Sequence, residues 1–136
     1  MSATRILLVE DEGLIRMIAA DILRAGGFDV VEAWDSTEAA RVLRELAGFD
    51  VLLTDVRMPG PEDGIDIAVL ARRRNPDISV VILSGYSPRL RKRLDGLSLS
   101  VTSFAKPYDM DEIIDTVHRL THTAATVKPS SGQSPS

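Results

Sequence analysis

Short apolar runs alternate along the chain with longer segments whose apolar residues repeat at helical spacing. The runs are too short for buried helices, and this alternation is typical of parallel strands joined by crossover helices. Runs that are apolar at every position, such as "ILLV", "VLL" and "VVIL", indicate strands buried on both faces. The predicted strands cover residues 6–9, 28–32, 51–54, 79–83 and 101–104.

The segments between and after the strands predict five helices, each with one apolar face. The fourth helix has the weakest pattern, because it offers only three leucines. The residues expected to form the five buried faces are, in chain order, Ile15, Ile18, Ala19 and Ile22; Ala39, Val42, Leu43 and Leu46; Ile65, Ala68 and Val69; Leu90, Leu94 and Leu97; and Met110, Ile113, Ile114 and Val117.

Residues with strong turn and capping preferences mark the helix boundaries. They are Gly26-Gly27 after the first helix, Asp35 or Ser36 before the second, Asn75-Pro76 after the third and Asp109 before the last. Together with the strands, these boundaries predict an α/β fold. The expected architecture is an open, doubly wound, five-stranded parallel sheet with helices on both faces.

The 136 residues suit one domain and are too few for two of ordinary size. We assign residues 1–121 to this domain. Residues 122–136, "HTAATVKPSSGQSPS", are rich in Ser, Thr and Pro and offer almost no apolar surface to bury, so we expect a disordered tail. The alternative is a tail that folds on a partner.

Composition narrows the range of functions. The formal net charge of -4 gives no general attraction for nucleic acid or anionic membranes, so we predict neither as a partner. Cysteine is absent, which excludes disulfides and thiolate metal sites within the chain. The N-terminal segment "MSATRILLVEDEG" reaches acidic residues after a very short apolar run, so it predicts no signal peptide and no membrane span. The expected location is the cytoplasm.

Polar side chains follow four of the predicted strands at the point where each strand ends. In an open parallel sheet, ligands bind beyond the carboxyl ends of the strands, near the point where the chain winding reverses. The residues that this rule brings together are Glu10 and Asp11 after the first strand, Asp55 after the third, Ser84 after the fourth and Lys106 after the fifth.

This combination of residues fits phosphoryl-transfer chemistry. Crowded carboxylates repel one another unless a cation is supplied, and oxygen donors without nearby His or Cys favour Mg²⁺ or Mn²⁺ over Zn²⁺. With the ion bound, Asp55 can act as a nucleophile and form an acyl phosphate, while Ser84 and Lys106 stabilise the phosphoryl oxygens. Taken singly, each residue also fits an ordinary turn or cap. Their joint placement favours a phosphoryl-transfer site over a set of unrelated turn and cap residues.

Five motifs stand in a fixed order along the chain: "ILLVEDE", "LLTDVRMPG", "DG" before the third helix, "VVILSGY" and "FAKPYDMDEI". Together they resemble the receiver domain of two-component response regulators, over residues 4–121. The resemblance implies the flavodoxin-like strand order 2-1-3-4-5. It also implies phosphorylation by a sensor histidine kinase or a histidine phosphotransfer protein.

By this resemblance, Asp55 is the phosphoacceptor and contributes to a Mg²⁺ site. Asp11 is expected to bind the ion directly, Glu10 to act nearby or through water, and the main-chain carbonyl of Arg57 to supply a further ligand. Ser84 is expected to move onto the phosphoryl group.

The same resemblance implies that Lys106 pairs with the phosphoryl group and that the Lys106-Pro107 peptide bond is cis. The chain departs from the receiver pattern in two places. Residues 60–63 form a loop of four residues where the usual receiver has three. The usual aromatic switch position is Ser103, and the aromatic residue is Phe104, which a regular strand places on the opposite face. Tyr86 is the candidate substitute for the aromatic switch, and Phe104 itself is the alternative.

The resulting functional prediction is a stand-alone receiver that signals by phosphorylation-switched protein binding. The expected partner surface is formed by the fourth helix, the fifth strand and the fifth helix. There Arg89, Arg91, Lys92 and Arg93 would contact an acidic protein face. A solvated basic helix is the alternative reading of this cluster, and a phosphate shuttle or sink in a phosphorelay is the alternative function.

Other classes fit the residues less well, and no turnover of external substrates is expected. A phosphohydrolase would need a cap or substrate pocket for which the short chain has little room. A flavodoxin-like electron carrier would need a phosphate-cradling first loop instead of an acidic one. His118 and His122 are expected to be a helix-surface residue and a tail residue without a catalytic role.

Overall fold

The computed structural model describes residues 3–84, 87–105 and 107–126. Within these ranges, five parallel strands form a sheet in the order β2-β1-β3-β4-β5, with five helices, which confirms the predicted fold class and strand order. The strands are β1 (Arg5–Val9), β2 (Asp29–Ala33), β3 (Val51–Thr54), β4 (Ser79–Leu83) and β5 (Thr102–Phe104). The helices are α1 (Gly13–Ala25), α2 (Ser36–Glu45), α3 (Gly64–Arg74), α4 (Pro88–Gly96) and α5 (Met110–Thr126).

The sheet is covered on both faces, because successive residues of a strand point to opposite sides. Leu7 and Leu52 pack with residues of α2, α3 and α4, whereas Ile6 and Leu53 pack with residues of α1 and α5. The apolar side chains of the three central strands are almost wholly removed from water, as their uninterrupted apolar runs predict. No helix within the described ranges is long and apolar enough to cross a membrane.

The helix ends follow the predicted caps. The first of the two candidates before α2, Asp35, accepts a hydrogen bond of 2.8 Å from the Glu38 N–H. Helix α1 is followed by Gly26 and then by Gly27, whose φ of 97° favours glycine. At the other two predicted boundaries, Asn75 directly follows the last residue of α3, and the Asp109 carboxylate accepts a hydrogen bond from the Asp111 N–H at the start of α5.

Helix α1 packs on the sheet through a different face from the predicted one. Ala19, Ala20 and Leu23 are its buried residues. The prediction that Ile15 and Ile18 are buried is wrong, since they are 40% and 51% exposed. The helix carries apolar residues around most of its circumference, so the apolar period alone does not select one face.

Polar contacts of Arg16 accompany this rotation of α1. Its Nε lies 3.2 Å from Oε1 of Glu32 on β2, and its Nη1 donates to the main-chain carbonyl of Glu10 at 2.9 Å. With that side of the helix held against β1 and β2, four apolar residues are left facing water. We call them the α1 patch: Leu14, Ile15, Met17 and Ile18, with exposures of 71%, 40%, 57% and 51%.

Three helix ends differ from the sequence prediction. Helices α2 and α4 stop one residue before Leu46 and Leu97, which are 41% and 46% exposed instead of buried. Helix α5 continues to Thr126, so the predicted start of the tail at residue 122 is too early and His122 lies on the helix. Alanine is a strong helix former and extending a formed helix is easy, which explains the extra turn. Residues 127–136 lie outside the described residues.

Candidate functional site

Three carboxylates meet at the carboxyl edge of the sheet. Strands β1 and β3 pair in register, with Val9 beside Thr54, so the residues that follow them start at the same level. Glu10, Asp11 and Asp55 each place one carboxylate oxygen within 4.8 Å of those of the other two. The acidic residues that the sequence predicts to converge are therefore brought together.

Glu10 is almost completely buried, at 3% exposure. Its Oε2 accepts a hydrogen bond of 3.0 Å from the Glu12 N–H, and its main-chain N–H donates to the carbonyl of Ala33 on β2 at 3.1 Å. Its main-chain carbonyl is the acceptor for Arg16. Backbone and carboxylate of Glu10 are thus both held, and the side chain faces the cluster in a fixed orientation.

Asp55 is 7% exposed and stands directly after β3. Its main-chain N–H donates to the Val9 carbonyl at 3.3 Å, and its own carbonyl accepts from the Thr54 hydroxyl at 2.8 Å. The N-cap of the next helix is Asp63, so Asp55 is not a helix-capping residue. Gly64 lies so close that a Cβ there would overlap the Asp55 carbonyl oxygen.

An open cavity of about 260 Å³ lies over the three carboxylates. Asp11 is exposed at this cavity, and Ser84 is half-buried at its side. The residues that line it are Glu10, Asp11, Glu12, Asp55, Arg57, Leu83 and Ser84. The side chains of this pocket can bind a small hard cation and admit a phosphoryl group from solvent.

Two further predicted site residues, Lys106 and Tyr86, lie outside the described residues, as does the Lys106-Pro107 peptide bond. The roles predicted for them, including the cis isomer, therefore stay predictions.

On strand β5, Ser103 stands at the usual aromatic switch position. The Ser103 hydroxyl donates a hydrogen bond of 3.2 Å to the main-chain carbonyl of Ser84. Phe104 pairs with Leu83 and packs against the core beneath α1 and α5, on the face opposite to Ser103. This is the placement that the one-residue offset predicts. Phe104 therefore contributes to that core.

The longer loop of residues 60–63 ends at Asp63, whose role was not predicted from the sequence. The Asp63 carboxylate accepts hydrogen bonds from the main-chain N–H groups of Ile65 and Asp66, forming a capping box at the start of α3. It also receives Arg93 of α4, whose Nη1 and Nη2 lie 2.5 Å and 3.1 Å from its two oxygens. The spacing of Asp63 and Asp66 is a local signal for the cap. Arg93, 30 residues later, gives no local signal.

These contacts change the acidity of the partners. Burial raises the pKa of Asp63, but hydrogen bonds from Arg93 and from the backbone N–H groups of Asp66 and Ile65 outweigh it. The pKa of Asp63 consequently lies below its ordinary value. The hydrogen bond to Asp63 in turn raises the pKa of Arg93.

Comparison with known proteins identifies the family. Residues 6–118 match the family model described as the response regulator receiver domain, which confirms the resemblance found in the motifs. Sporulation initiation phosphotransferase F of Bacillus subtilis is 30% identical over 124 residues, covering 88% of this chain and 94% of that protein. Transcriptional regulatory protein PdtaR of Mycobacterium tuberculosis (strain ATCC 25618 / H37Rv) is 36% identical over 118 residues, covering 83% of this chain.

Some relatives are much longer than this chain. The match spans 54% of PdtaR, and only 12% of the sensor kinase CckA of Brucella abortus, which is 33% identical over 120 residues and 88% of this chain. Among solved structures, the receiver domain of the hybrid histidine kinase CckA superposes with a TM-score of 0.70 at 38% identity, covering 85% of this chain and 97% of that chain. The response regulator TrrA of Thermotoga maritima, in complex with Mg(2+)-BeF, superposes with a TM-score of 0.73 at 27% identity. The match covers 86% of this chain and 98% of that chain.

Proposed function

Because the chain belongs to the response regulator receiver domain family, we propose that Asp55 accepts a phosphoryl group from a histidine of a partner protein. The observation that carries this proposal is the position of Asp55. It directly follows a buried central strand, lies beside the Glu10 and Asp11 carboxylates, and lines a cavity that is open to solvent. A nucleophilic carboxylate needs this combination of a fixed backbone and access to the donor.

The proposed reaction is a direct displacement at phosphorus. A carboxylate oxygen of Asp55 forms a bond to phosphorus while the bond from phosphorus to the donor's imidazole nitrogen breaks. The bonding electron pair stays on that nitrogen, and a ring protonated on its other nitrogen leaves as neutral imidazole. The product is an acyl phosphate on Asp55. Attack of water on the same phosphorus later restores the carboxylate and releases inorganic phosphate.

The donor set at this edge fits Mg²⁺. Glu10, Asp11 and Asp55 offer carboxylate oxygens, and we assign a further oxygen to the main-chain carbonyl of Arg57, which lines the same cavity. When bound, the ion supplies positive charge that offsets carboxylate repulsion and stabilises phosphoryl oxygens. The Glu12 N–H holds the Glu10 carboxylate in the orientation that this arrangement requires. We keep Ser84 and Lys106 as the groups that contact the phosphoryl oxygens.

The α1 patch is the surface that we assign to the phosphodonor. Helix α1 begins three residues after Glu10, so the patch starts beside the acidic cluster. Its four apolar residues are neighbours on the helix and are exposed to water, an arrangement that marks a protein-binding surface. A helical sensor kinase or phosphotransfer protein packed there would bring its phosphohistidine to the edge that carries Asp55.

For the output we propose phosphorylation-switched binding of a protein, with no external substrate turned over. The proposed surface is formed by α4, β5 and α5, where Arg89, Arg91 and Lys92 are exposed and suit an acidic partner. Phosphorylation replaces the single negative charge of the Asp55 carboxylate by a phosphoryl group with about two, and it shifts the equilibrium between two arrangements of the surrounding loops. A cytoplasmic location stays a prediction.

The second candidate function is a phosphate shuttle or sink in a phosphorelay. It is favoured by the similarity to sporulation initiation phosphotransferase F, which the match covers over 94% of its length. A shuttle differs from a binding switch in that its acyl phosphate passes onward to a histidine.

One experiment separates the two candidates. Phosphorylated protein is mixed with an unphosphorylated histidine phosphotransfer protein, and the label on each is followed in time. A shuttle transfers its phosphate to the histidine, whereas a binding switch keeps it until hydrolysis. Asp55→Asn, which lacks the nucleophile, is the control, and label on that variant would contradict both candidates.

A further inference from the structure

The loop between Asp55 and α3 is held by two other helices. Near its middle, the Ser36 hydroxyl at the start of α2 donates to the Pro59 carbonyl at 3.4 Å. Gly60, with φ of 114°, packs against Ser36 so closely that a Cβ would overlap its hydroxyl oxygen. At its far end, Asp63 is held by Arg93 of α4. The loop therefore spans from α2 to α4 across the edge that carries Asp55.

The contact at α4 is more than one surface ion pair. Arg93 engages both oxygens of Asp63, and its Nη2 also lies 3.1 Å from Oδ1 of Asp66. Exposed pairs contribute little, and the Arg93 and Asp63 side chains are 38% and 32% exposed. Here, however, the fork geometry, a second carboxylate and a carboxylate already fixed as a helix cap restrict the guanidinium to one position.

Arg93 also stands close to the proposed phosphorylation site. A cavity of about 410 Å³ between the loop and α4 is lined by Arg57, Asp63, Ser84, Arg89 and Arg93. Arg57 and Ser84 line the cavity over the carboxylates as well, so the two cavities adjoin. A phosphoryl group on Asp55 would place new negative charge beside the cavity that Arg93 helps to line.

We propose that Arg93 is a positioning residue that couples helix α4 to the state of Asp55 through Asp63. The inference rests on the proposed phosphorylation of Asp55. By holding Asp63, Arg93 sets the position of the loop that carries Arg57, and the same contact makes α4 respond when that loop adjusts to a phosphoryl group. Because coupling is reciprocal, a change at α4 also alters binding at the acidic site.

The chain provides matched variants for the test. Arg93→Gln and Lys92→Gln each remove one positive charge from α4, but Lys92 is exposed and makes no hydrogen bond or ion pair within the described residues. Asp63→Asn removes the charge while keeping a residue that caps helices equally well. Arg93→Lys restores the charge without the fork.

The measurement is hydrogen exchange of residues 88–96 in the full chain, with and without Mg²⁺ and beryllium fluoride as a phosphoryl mimic. We expect the mimic to change exchange in the wild type and in Lys92→Gln by about fivefold, the lower end of ordinary allosteric coupling. Arg93→Gln and Asp63→Asn should lose most of that change while still binding the mimic. The double variant Arg93→Gln/Asp63→Asn should lose no more of the change in exchange than either single variant, since both substitutions act through one contact. Arg93→Lys should recover part of it.

The outcomes are separable. An unchanged response of α4 in Arg93→Gln or in Asp63→Asn, or no response in the wild type, would overturn the inference alone. If a small acyl phosphate fails to phosphorylate Asp55 in the wild type, the proposed function fails first and the inference with it. Should Arg93→Gln not fold, Asp63→Asn carries the test, because its cap is retained.

Discussion

The main-chain carbonyl oxygen of Asp55 occupies the space that the Cβ of any residue other than glycine at position 64 would need. The Gly64 N–H donates to the neighbouring Val56 carbonyl at 2.7 Å, so α3 begins directly against the backbone of the proposed phosphoacceptor. Close packing, and not backbone conformation, is what requires glycine here, since Gly64 is not among the residues with positive φ.

Gly64→Ala should therefore destabilise the fold and displace Asp55. We expect a loss of about 2–3 kcal/mol, the upper part of the range for inserting atoms into a packed site. Urea unfolding measures the loss. Gly96→Ala is the control, because a Cβ at Gly96 meets nothing within 4 Å and alanine is favoured in helices. Equal stability of the two variants would contradict the close contact between Gly64 and Asp55.

The ion pair of Asp63 and Arg93 should make stability depend on pH in a defined direction. The pKa of Asp63 in the folded protein lies below its ordinary value of 3.8, so folding favours the charged form. Its contribution is present above that ordinary value and is lost as the pH falls through the lower folded-state pKa. Asp63→Asn should cost about 1 kcal/mol at pH 7, after allowance for solvent screening, and progressively less as the pH falls below 3.8.

Urea unfolding at a series of pH values measures this difference between wild type and Asp63→Asn. Asp77→Asn serves as the control, since Asp77 is exposed and forms no ion pair within the described ranges. Arg93 and Asp66 are the charged groups that face Asp63, so their variants should change the same pH profile. A difference that grows toward acid pH would show that the sign is wrong.

The α1 patch should be needed for phosphotransfer from a protein but not for phosphorylation by a small molecule. In Leu14→Ser/Ile18→Ser, stability should change by less than about 1 kcal/mol, because both residues are already exposed. Uptake from a phosphorylated histidine phosphotransfer protein should fall by about tenfold or more, as expected for loss of apolar contact residues. Leu97→Ser changes an exposed leucine at the end of α4. This variant should leave unchanged both the rate of transfer from the phosphotransfer protein and the rate of phosphorylation by a small molecule. Equal rates of transfer to the wild type, Leu14→Ser/Ile18→Ser and Leu97→Ser would show that the phosphodonor binds another surface.

The hydrogen bond from Ser103 to the Ser84 carbonyl should steady the end of β4. Ser103→Ala should lower stability by about 1 kcal/mol and accelerate hydrogen exchange in residues 80–84, because one hydrogen bond of a partly buried group is lost. Ser103→Thr, which keeps the hydroxyl, should behave like the wild type. If Ser103→Ala leaves exchange in β4 unaltered, Ser103 does not support Ser84.

Much of the fold could be predicted from local pattern. The runs 51–54 and 79–83 became strands with the predicted bounds, because strands buried on both faces carry an unmistakable apolar run. Asp35 and Asn75 marked helix ends for equally local reasons. The convergence of Glu10, Asp11 and Asp55 followed from one topological rule about strand ends in parallel sheets.

The features that escaped prediction depend on contacts between distant segments. The rotation of α1 accompanies contacts of Arg16 with β1 and β2, and no apolar period reveals it in a helix that is apolar on several sides. Arg93 reads as one member of a basic run until the fold brings it to Asp63. The reason for glycine at position 64 is likewise a contact with the Asp55 backbone, which the "DG" motif alone does not explain.

The phosphorylation of Asp55 is tested most directly by mass. The protein is incubated with Mg²⁺ and a small acyl phosphate, the modified protein is isolated, and the modified residue is located in its peptides. We predict one phosphoryl group, on Asp55, stable to acid and labile to base, which disappears when Mg²⁺ is removed or when Asp55 is changed to Asn. Asp77→Asn should be modified like the wild type. Failure to modify Asp55 under conditions that phosphorylate another receiver, or modification of Asp55→Asn to the same extent, would contradict the account.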